Sequence, residues 1–262
     1  MPLSPFLALD AGNSSVKAAV WDGGWGEAVR FPSDGASAEV WAARLGSVAG
    51  SPEAGGVASV VPELTPALRD AVAAVTGAPA VVVSVDLPLP FRLAYATPRT
   101  LGTDRLAAAV GAHALAGGRA VVVLDAGSAI TTEVVTAEPA YLGGAILPGP
   151  DLLRRALVRD TRQLPDVAWP DDPRPVGDST LAAIQAGLGV LVLDGVAGLL
   201  RRTVASLGGD ALVLATGGWG PWLAQRLPEV DRLEPHLVLD GVRLLAAQGT
   251  RGRRAAGSPG PP

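Results

Sequence analysis

Cysteine is absent from this chain of 262 residues, and histidine occurs only twice, as His113 and His236. Disulfide bonds, thiolate catalysis and cysteine-ligated zinc are therefore excluded, and a histidine-rich metal site is not expected. Lysine is almost absent as well, because Lys17 is the only lysine among 21 basic residues. Its retention indicates either a local need for a flexible positive charge or chance survival at a strand edge.

A basic surface and a long apolar run are also missing. The formal net charge is −4 and the isoelectric point is near 5.2, so no nucleic-acid partner is expected. Charge, glycine or proline interrupts the apolar runs before the roughly 18 residues that a membrane-spanning helix needs. The first residues lack the basic start of a signal peptide. We therefore expect no membrane association and a cytoplasmic location.

Two similar segments are what the chain does contain. Each has an apolar strand, an aspartate, a glycine turn with hydroxyl side chains, and a second apolar strand. The segments are Asp10-Ala11-Gly12-Asn13-Ser14-Ser15-Val16-Lys17 and Asp125-Ala126-Gly127-Ser128-Ala129-Ile130-Thr131-Thr132. Such a turn offers backbone N–H groups and hydroxyls to phosphate oxygens, while the aspartate can hold a cation. One copy alone is more typical of an ordinary hairpin turn, but the presence of two predicts a phosphate-binding clamp.

The two copies differ in their charged residues. In the first copy, Asp10 is a candidate Mg²⁺ ligand and Lys17 a candidate phosphate ligand. In the second copy, Asp125 is a candidate cation ligand and Ser128 a candidate phosphate ligand. Neither copy has the glycine pattern of a Walker or Rossmann nucleotide loop.

A third motif, Gly102-Thr103-Asp104-Arg105, lies at the start of an apolar helical segment. Asp104 is placed to accept a proton from an attacking hydroxyl group. Arg105, or the first amides of the helix, can bind a carboxylate or phosphate. The alternative is an ordinary helix start in which Asp104 is simply a charge partner of Arg105.

Periodicity predicts an α/β protein with two halves, each beginning with one of the aspartate hairpins. We expect the first half at residues 1–115, the second at 116–250, and a disordered tail rich in glycine and proline at 251–262. The predicted strands cover residues 6–10, 16–21, 27–31, 55–61, 80–85, 120–125, 131–136, 141–147 and 211–215. The predicted helices cover 36–48, 64–75, 101–116, 151–159, 179–205, 220–227 and 239–248.

In order and spacing, the motifs resemble those of the type III pantothenate kinases over nearly the whole chain. The first three matches are Asp10-x-Gly12-Asn13-Ser14, Tyr95-x-x-Pro98-x-x-Leu101-Gly102-x-Asp104-Arg105 and Asp125-x-Gly127-Ser128-Ala129-x-Thr131. The others are Gly143-Gly144-x-Ile146-x-Pro148-Gly149, Ser179-Thr180-x-x-Ala183-Ile184-x-x-Gly187 and Thr216-Gly217-Gly218. The resemblance implies two duplicated ribonuclease-H-like domains, the actin-like ATPase fold, with mixed β-sheets flanked by helices.

The resemblance also implies an activity and a set of site residues. The activity is ATP-dependent phosphorylation of pantothenate to 4′-phosphopantothenate, the first step of coenzyme A biosynthesis, with Asp104 as general base. The implied ATP and Mg²⁺ ligands are residues 10–17, with Ser128 contacting ATP and Asp125 binding K⁺ or NH₄⁺. The implied pantothenate ligands are Tyr95, Gly102, Thr103, Asp104, Arg105 and Thr180, the last across the interface of a homodimer.

This chain departs from the family pattern at three positions. Ser14 and Ser128 stand where threonine is usual, and Glu133 stands where aspartate is frequent. Each change keeps the functional group, so we expect affinity rather than reaction type to change. Two other interpretations remain: a nucleotide-binding accessory or regulatory protein of the same fold without kinase activity, and a kinase of the same superfamily that acts on sugars or other small molecules.

Overall fold

The computed structural model describes residues 5–48 and 50–256, and its internal contacts divide the chain into two units. The first unit runs to Gly117 and takes in Pro139–Tyr141 and the segment from His236 onward. The second comprises Gly118–Glu138 and Leu142–Pro235. The first boundary lies two residues beyond the expected position of 115. The second half was expected to extend to residue 250, but the second unit ends at Pro235 and the chain returns to the first unit at His236.

A five-stranded sheet forms the centre of the first unit, with strand order β3-β2-β1-β4-β5. These strands are β1 Phe6–Ala11, β2 Ser15–Trp21, β3 Val29–Pro32, β4 Ala54–Ser59 and β5 Val81–Val82. The helices of this unit are α1 Ala38–Leu45, α2 Thr65–Thr76, α3 Thr103–Leu115 and α7 Leu237–Ala256. Strand β1 pairs antiparallel with β2 and parallel with β4, so the sheet is mixed.

The two faces of this sheet carry different helices. On one face, alternate residues of β1 and β2 such as Leu9 and Val16 are fully buried in a core that includes Trp41 and Leu68 of α1 and α2. The other face carries α3 and α7, which pack closely against each other. A Cβ atom at Gly241 of α7 would meet the backbone of Ala107 in α3, so only glycine allows this approach.

A small parallel ladder follows the first sheet along the chain. Strand β6 (Arg92–Leu93) pairs with the first two residues of β9 (Ala140–Gly143). A single 3-10 turn at Pro98–Thr100 then leads into α3.

The second unit repeats the pattern of the first. Strand β7 (Ala120–Ala126) pairs antiparallel with β8 (Ala129–Val135) and parallel with β11 (Ala211–Thr216), as β1 does with β2 and β4. Short strands β10 (Ile146–Pro148) and β12 (Arg232–Leu233) extend this sheet from β8 and β11. The helices are α4 Pro150–Asp160, α5 Thr180–Ser206 and α6 Gly220–Ala224.

Helix α5 is, by length and composition, apolar enough to cross a membrane, which the sequence analysis did not anticipate. Part of this helix lies in the interior of the second unit. Val192, Val196, Ala197 and Leu200 lie in the core of the second unit, and the N-terminus of the helix is capped by Ser179, whose Oγ accepts from Ala182 N at 3.3 Å.

Several expected elements differ from the structure. The strand expected at 80–85 covers only Val81–Val82, and the helix expected at 220–227 covers Gly220–Ala224. The strand expected at 141–147 is divided into β9 and β10 at Gly144, which lies so close to the backbone of Thr132 that a Cβ there would clash. The expected tail at 251–262 is helical as far as Ala256, because α7 continues beyond its expected end at 248. The remainder of that tail, residues 257–262, lies outside the described residues.

Candidate functional site

The first phosphate-type loop lies at the carboxyl end of β1. Gly12 N donates to the carbonyl of Ser15 at 3.1 Å, which closes a tight turn between β1 and β2. The end of β3 supports this turn from the side: Ser33 Oγ donates to the Gly12 carbonyl at 2.5 Å, and Ser33 N donates to the Ser14 carbonyl at 3.4 Å. The loop is therefore held to two neighbouring strands rather than projecting freely.

Asp10, the first residue of the motif, is half-buried. Desolvation by burial, together with repulsion from Asp104, raises the pKa of Asp10 to about 7, against the opposing charges of Lys17 and Arg30. Asp10 and Lys17 are direct partners across the β1–β2 ladder. The structure thus brings together the predicted Mg²⁺ ligand, the single lysine and the predicted general base.

Asp104 lies in the first turn of α3, where the helix leaves backbone N–H groups without intrahelical partners. Its Oδ1 accepts from Arg105 N at 2.7 Å. Burial raises the pKa of Asp104, although the Arg105 backbone and charge act in the opposite direction. A Cβ at Gly102 would lie 2.5 Å from Asp104 Oδ1, so this glycine leaves space for the carboxylate.

A residue that sequence reasoning missed holds this helix start in place. Thr103 Oγ1 accepts from Ser59 N and donates to the Ser59 carbonyl, both at 2.8 Å. This pair of bonds connects α3 to the carboxyl end of β4, the neighbour of β1. No sequence motif marked Ser59, because both hydrogen bonds are made by its main-chain N–H and carbonyl groups, which other residue types also supply.

Tyr95 lies just beyond β6, at the start of the segment that leads to α3. Its ring is 5.9 Å from that of the buried Tyr141, which in turn stacks on Phe91 at 6.0 Å. Arg105, the predicted anion ligand, is only 8% exposed. The first unit contains five of the predicted pantothenate ligands, namely Tyr95, Gly102, Thr103, Asp104 and Arg105.

The second aspartate motif has a different setting. Asp125 is half-buried at the carboxyl end of β7, paired with Thr216 of β11. The next residue, Gly217, has a φ of +86° and approaches Asp125 so closely that a Cβ there would lie 2.5 Å from Oδ1. Trp219 N donates to the Ala126 carbonyl at 2.8 Å, so the loop that contains Gly217 is bonded to the residue next to Asp125.

Ser128 is exposed at the tip of the β7–β8 turn. Gly149 N donates to its carbonyl at 3.1 Å, and a Cβ at Gly149 would clash with the carbonyls of Gly127 and Ser128. The Gly149 and Gly217 motifs thus act as supports for the second loop, a role that the sequence pattern alone did not distinguish from tight turns. Thr180 is the exposed first residue of α5, also in the second unit.

The metal candidates can be tested against their donor atoms. Among the described residues, no group of three or more Asp, Glu, His or Cys side chains is placed to enclose a metal ion. Mg²⁺ commonly binds one or two carboxylates and takes its other ligands from water and phosphate, so Asp10 beside Asp104 fits it. Asp125 Oδ1 and the main-chain oxygen of Ala126 both lie beside Gly217, and a hard cation takes oxygen ligands of these two kinds.

Structural comparison identifies the fold. A crystal structure described as a conserved putative Baf family transcriptional activator from Campylobacter jejuni superposes with a TM-score of 0.60 at 19% identity, covering 94% of this chain and 99% of that one. A ROK family glucokinase from Streptomyces griseus, in complex with glucose and AMPPNP, gives a TM-score of 0.51 at 16% identity, covering 94% and 100%. The expected fold of two duplicated ribonuclease-H-like halves with mixed sheets is confirmed.

Sequence comparison identifies the family. The type III pantothenate kinase family model matches residues 6–205. A type III pantothenate kinase from Chlorobaculum parvum is 34% identical over 250 residues, which cover 91% of this chain and 93% of that protein. The match includes the Asp10, Asp104 and Asp125 motifs and extends over both units. The chain belongs to the type III pantothenate kinase family.

Proposed function

We propose that this protein transfers the γ-phosphate of ATP to the primary hydroxyl of pantothenate, giving 4′-phosphopantothenate in the first step of coenzyme A biosynthesis. The observation that carries the mechanism is the position of Asp104. Its carboxylate lies at a helix N-terminus, with a raised pKa, close enough to Asp10 to alter the pKa of that residue. A base with a raised pKa is better matched to proton abstraction near neutral pH.

The reaction follows from this placement. Asp104 accepts the hydroxyl proton of pantothenate as the hydroxyl oxygen attacks the γ-phosphorus. The bond from the γ-phosphorus to the bridging oxygen breaks, and ADP leaves with the electron pair. The amides and hydroxyls of residues 10–17 and the Lys17 ammonium hold the phosphates in line, since phosphoryl transfer depends mainly on positioning and charge neutralisation. Mg²⁺, when held by Asp10, supplies further neutralisation of the phosphate oxygens.

The second unit contributes the remaining ATP contacts in this proposal. Ser128 contacts ATP, and Asp125 holds the monovalent cation, K⁺ or NH₄⁺. Support comes from the way Gly217 and Gly149 shape the main chain around these two residues. Ser128 keeps the hydroxyl group of the threonine that is usual at this position, so this replacement leaves the ligand group unchanged.

In this proposal, one subunit supplies most of the pantothenate ligands and a second copy of the chain supplies the last one. Tyr95, Gly102, Thr103, Asp104 and Arg105 contact pantothenate, and Thr180 of a partner subunit closes its pocket in a cytoplasmic homodimer. Exposed apolar side chains on the second unit support the dimer: Leu191 of α5 is 58% exposed and Ile146 of β10 is 66% exposed. An accessory role without catalysis is not favoured, because a binding protein has no use for a base such as Asp104.

A coupled assay of ADP release tests the proposal directly. With pantothenate, Mg²⁺ and K⁺ we expect turnover, and with K⁺ omitted we expect it to fall. Asp104→Asn removes the base while preserving size, so kcat should decrease by about 10²–10⁴-fold with little change in either KM. Absence of pantothenate-dependent turnover, or full activity of Asp104→Asn, would exclude the proposed mechanism.

A further inference from the structure

Three charged residues form a row across the sheet of the first unit, at the level where β1 ends. The strand register pairs Asp10 with Lys17 and Lys17 with Arg30. Residues directly opposite each other on antiparallel strands project from the same face of the sheet. Arg30, on the edge strand β3, therefore projects from the same face as Asp10 and Lys17.

That face is the one that carries the proposed chemistry. Val29 and Phe31, the neighbours of Arg30, pack against the core beneath α1 and α2 on the opposite face. Arg30 therefore lies on the face of the sheet that carries Asp10 and Lys17, not on the face beneath α1 and α2.

The guanidinium group of Arg30 is available to a ligand. Arg30 is exposed, and within the part of the chain that the structure describes its side chain makes no hydrogen bond or ion pair. Other arginines differ in this respect: Arg44 pairs with Asp34 at 2.7 Å, and Arg119 pairs with Asp210 at 2.9 Å. An exposed arginine without a carboxylate partner, beside a lysine, is suited to an anion.

The edge strand is also tied to the phosphate loop. Ser33, three residues after Arg30, donates hydrogen bonds to the carbonyls of Gly12 and Ser14. These bonds hold β3 and the loop together as one body. A group bound by the loop amides is therefore held in a defined position relative to Arg30.

We propose that Arg30 is a further phosphate-binding residue, whose guanidinium binds oxygens of the β- or γ-phosphate on the side of Lys17 that faces away from Asp10. The inference rests on the proposed function, since it assigns a residue to the nucleotide side of the same site. Arginine suits this place because its planar guanidinium can donate two parallel hydrogen bonds to a phosphate, whereas lysine supplies a single point charge.

The test compares Arg30→Met with Arg30→Lys and with the control Arg92→Met, which alters an exposed strand arginine of the same unit. Loss of a charge-assisted hydrogen bond should raise the KM for ATP about tenfold or more in Arg30→Met, with an intermediate effect in Arg30→Lys. The KM for pantothenate should stay within about twofold, as expected for a residue that binds only the nucleotide. In thermal unfolding, the increase in Tm produced by Mg-ADP should shrink in Arg30→Met, while the smaller effect of AMP should not change.

The outcomes separate this inference from the proposed function. If the wild-type protein is stabilised by Mg-ADP but does not phosphorylate pantothenate, the proposed function fails, and the ADP and AMP comparison still decides the role of Arg30. The role of Arg30 would be overturned if Arg30→Met had the same KM for ATP as Arg92→Met and the same increase in Tm with Mg-ADP. Far-UV circular dichroism and the Tm without ligand show whether Arg30→Met is misfolded. If it is, the KM for ATP and the effect of Mg-ADP on Tm are compared between Arg30→Lys and wild type only.

Discussion

At the scale of single residues, the position of Asp10 in the sheet destabilises the charged form of its carboxylate. It lies one residue before the end of a strand whose other residues are buried, and its carboxylate is near that of Asp104. Lys17 and Arg30 offset this destabilisation only in part, because the pKa of Asp10 is still raised to about 7. A bound divalent cation would favour the charged form and so remove most of the remaining penalty.

The raised pKa of Asp10 predicts how stability depends on pH. Its ordinary value is 3.8, so between that value and about 7 the folded protein binds more protons than the unfolded chain. The stabilisation from this group is complete below the unfolded pKa and is lost as pH rises through the folded pKa. In the presence of a chelator, we expect Asp10→Asn to raise Tm relative to wild type at pH 8 and to have little effect at pH 4. Equal differences at both pH values would contradict the raised pKa.

The candidate site residues could be proposed from sequence, whereas the residues that support them could not. Asp10, Lys17 and Asp104 carry side-chain groups whose types and spacing point to phosphoryl transfer. Ser59 and Ser33 act through main-chain groups or single hydroxyls at positions that only the folded strands bring close. No local pattern in the sequence marks such a residue, because its partner is determined by the sheet register.

At the scale of secondary-structure elements, the approach of α3 and α7 depends on glycine. Gly241 lies against the backbone of Ala107, and Gly111 lies against that of Leu237. Glycine is unfavourable inside a helix by about 1 kcal/mol relative to alanine, so its presence at two contact positions indicates that close packing outweighs helix propensity. Since Asp104 is on α3, this packing also determines where the proposed base lies.

Substitutions on α7 test this packing. Gly241→Ala should lower the free energy of unfolding by about 1–3 kcal/mol, because the new methyl group meets backbone atoms that cannot move aside easily. Gly249→Ala is the matched control on the same helix, since its Cβ would make only an ordinary contact of 3.6 Å with Leu87. It should be neutral or slightly stabilising. Chemical denaturation measures both; equal effects would contradict the packing role of Gly241.

Most elements could be predicted because their apolar periodicity is regular, and the exceptions have identifiable causes. The division of the strand at 141–147 results from the contact of Gly144 with Thr132, a tertiary effect. The last helix extends past its expected end at 248, since the helical backbone continues to Ala256, into the tail whose glycine and proline content had suggested disorder. Local composition therefore located the elements but not their ends.

At the scale of the whole molecule, the exposed apolar residues of α5 and β10 bear on the proposed homodimer. Light scattering after size exclusion should give a molar mass twice that of the 26.4 kDa chain. Leu191→Asp places a charge on the exposed face of α5 and should shift the protein toward monomer, because burying an unpaired carboxylate is unfavourable. Val40→Asp, at an exposed position of α1 that is 46% accessible, is the control and should leave the mass unchanged. A wild-type monomer would refute the dimer.

The return of α7 to the first unit has a consequence for synthesis on the ribosome. Strands β1 and β4 are made early, but the helix that covers one of their faces is made only after the whole second unit. The second unit is continuous enough to fold as it emerges, whereas the first must wait, with a sheet face covered only in part by α3, until α7 leaves the exit tunnel. Contacts between distant parts of a chain also form slowly. The phosphate loop is thus translated before the second unit but completed only after it, so the nascent chain acquires its proposed kinase site only once α7 has emerged.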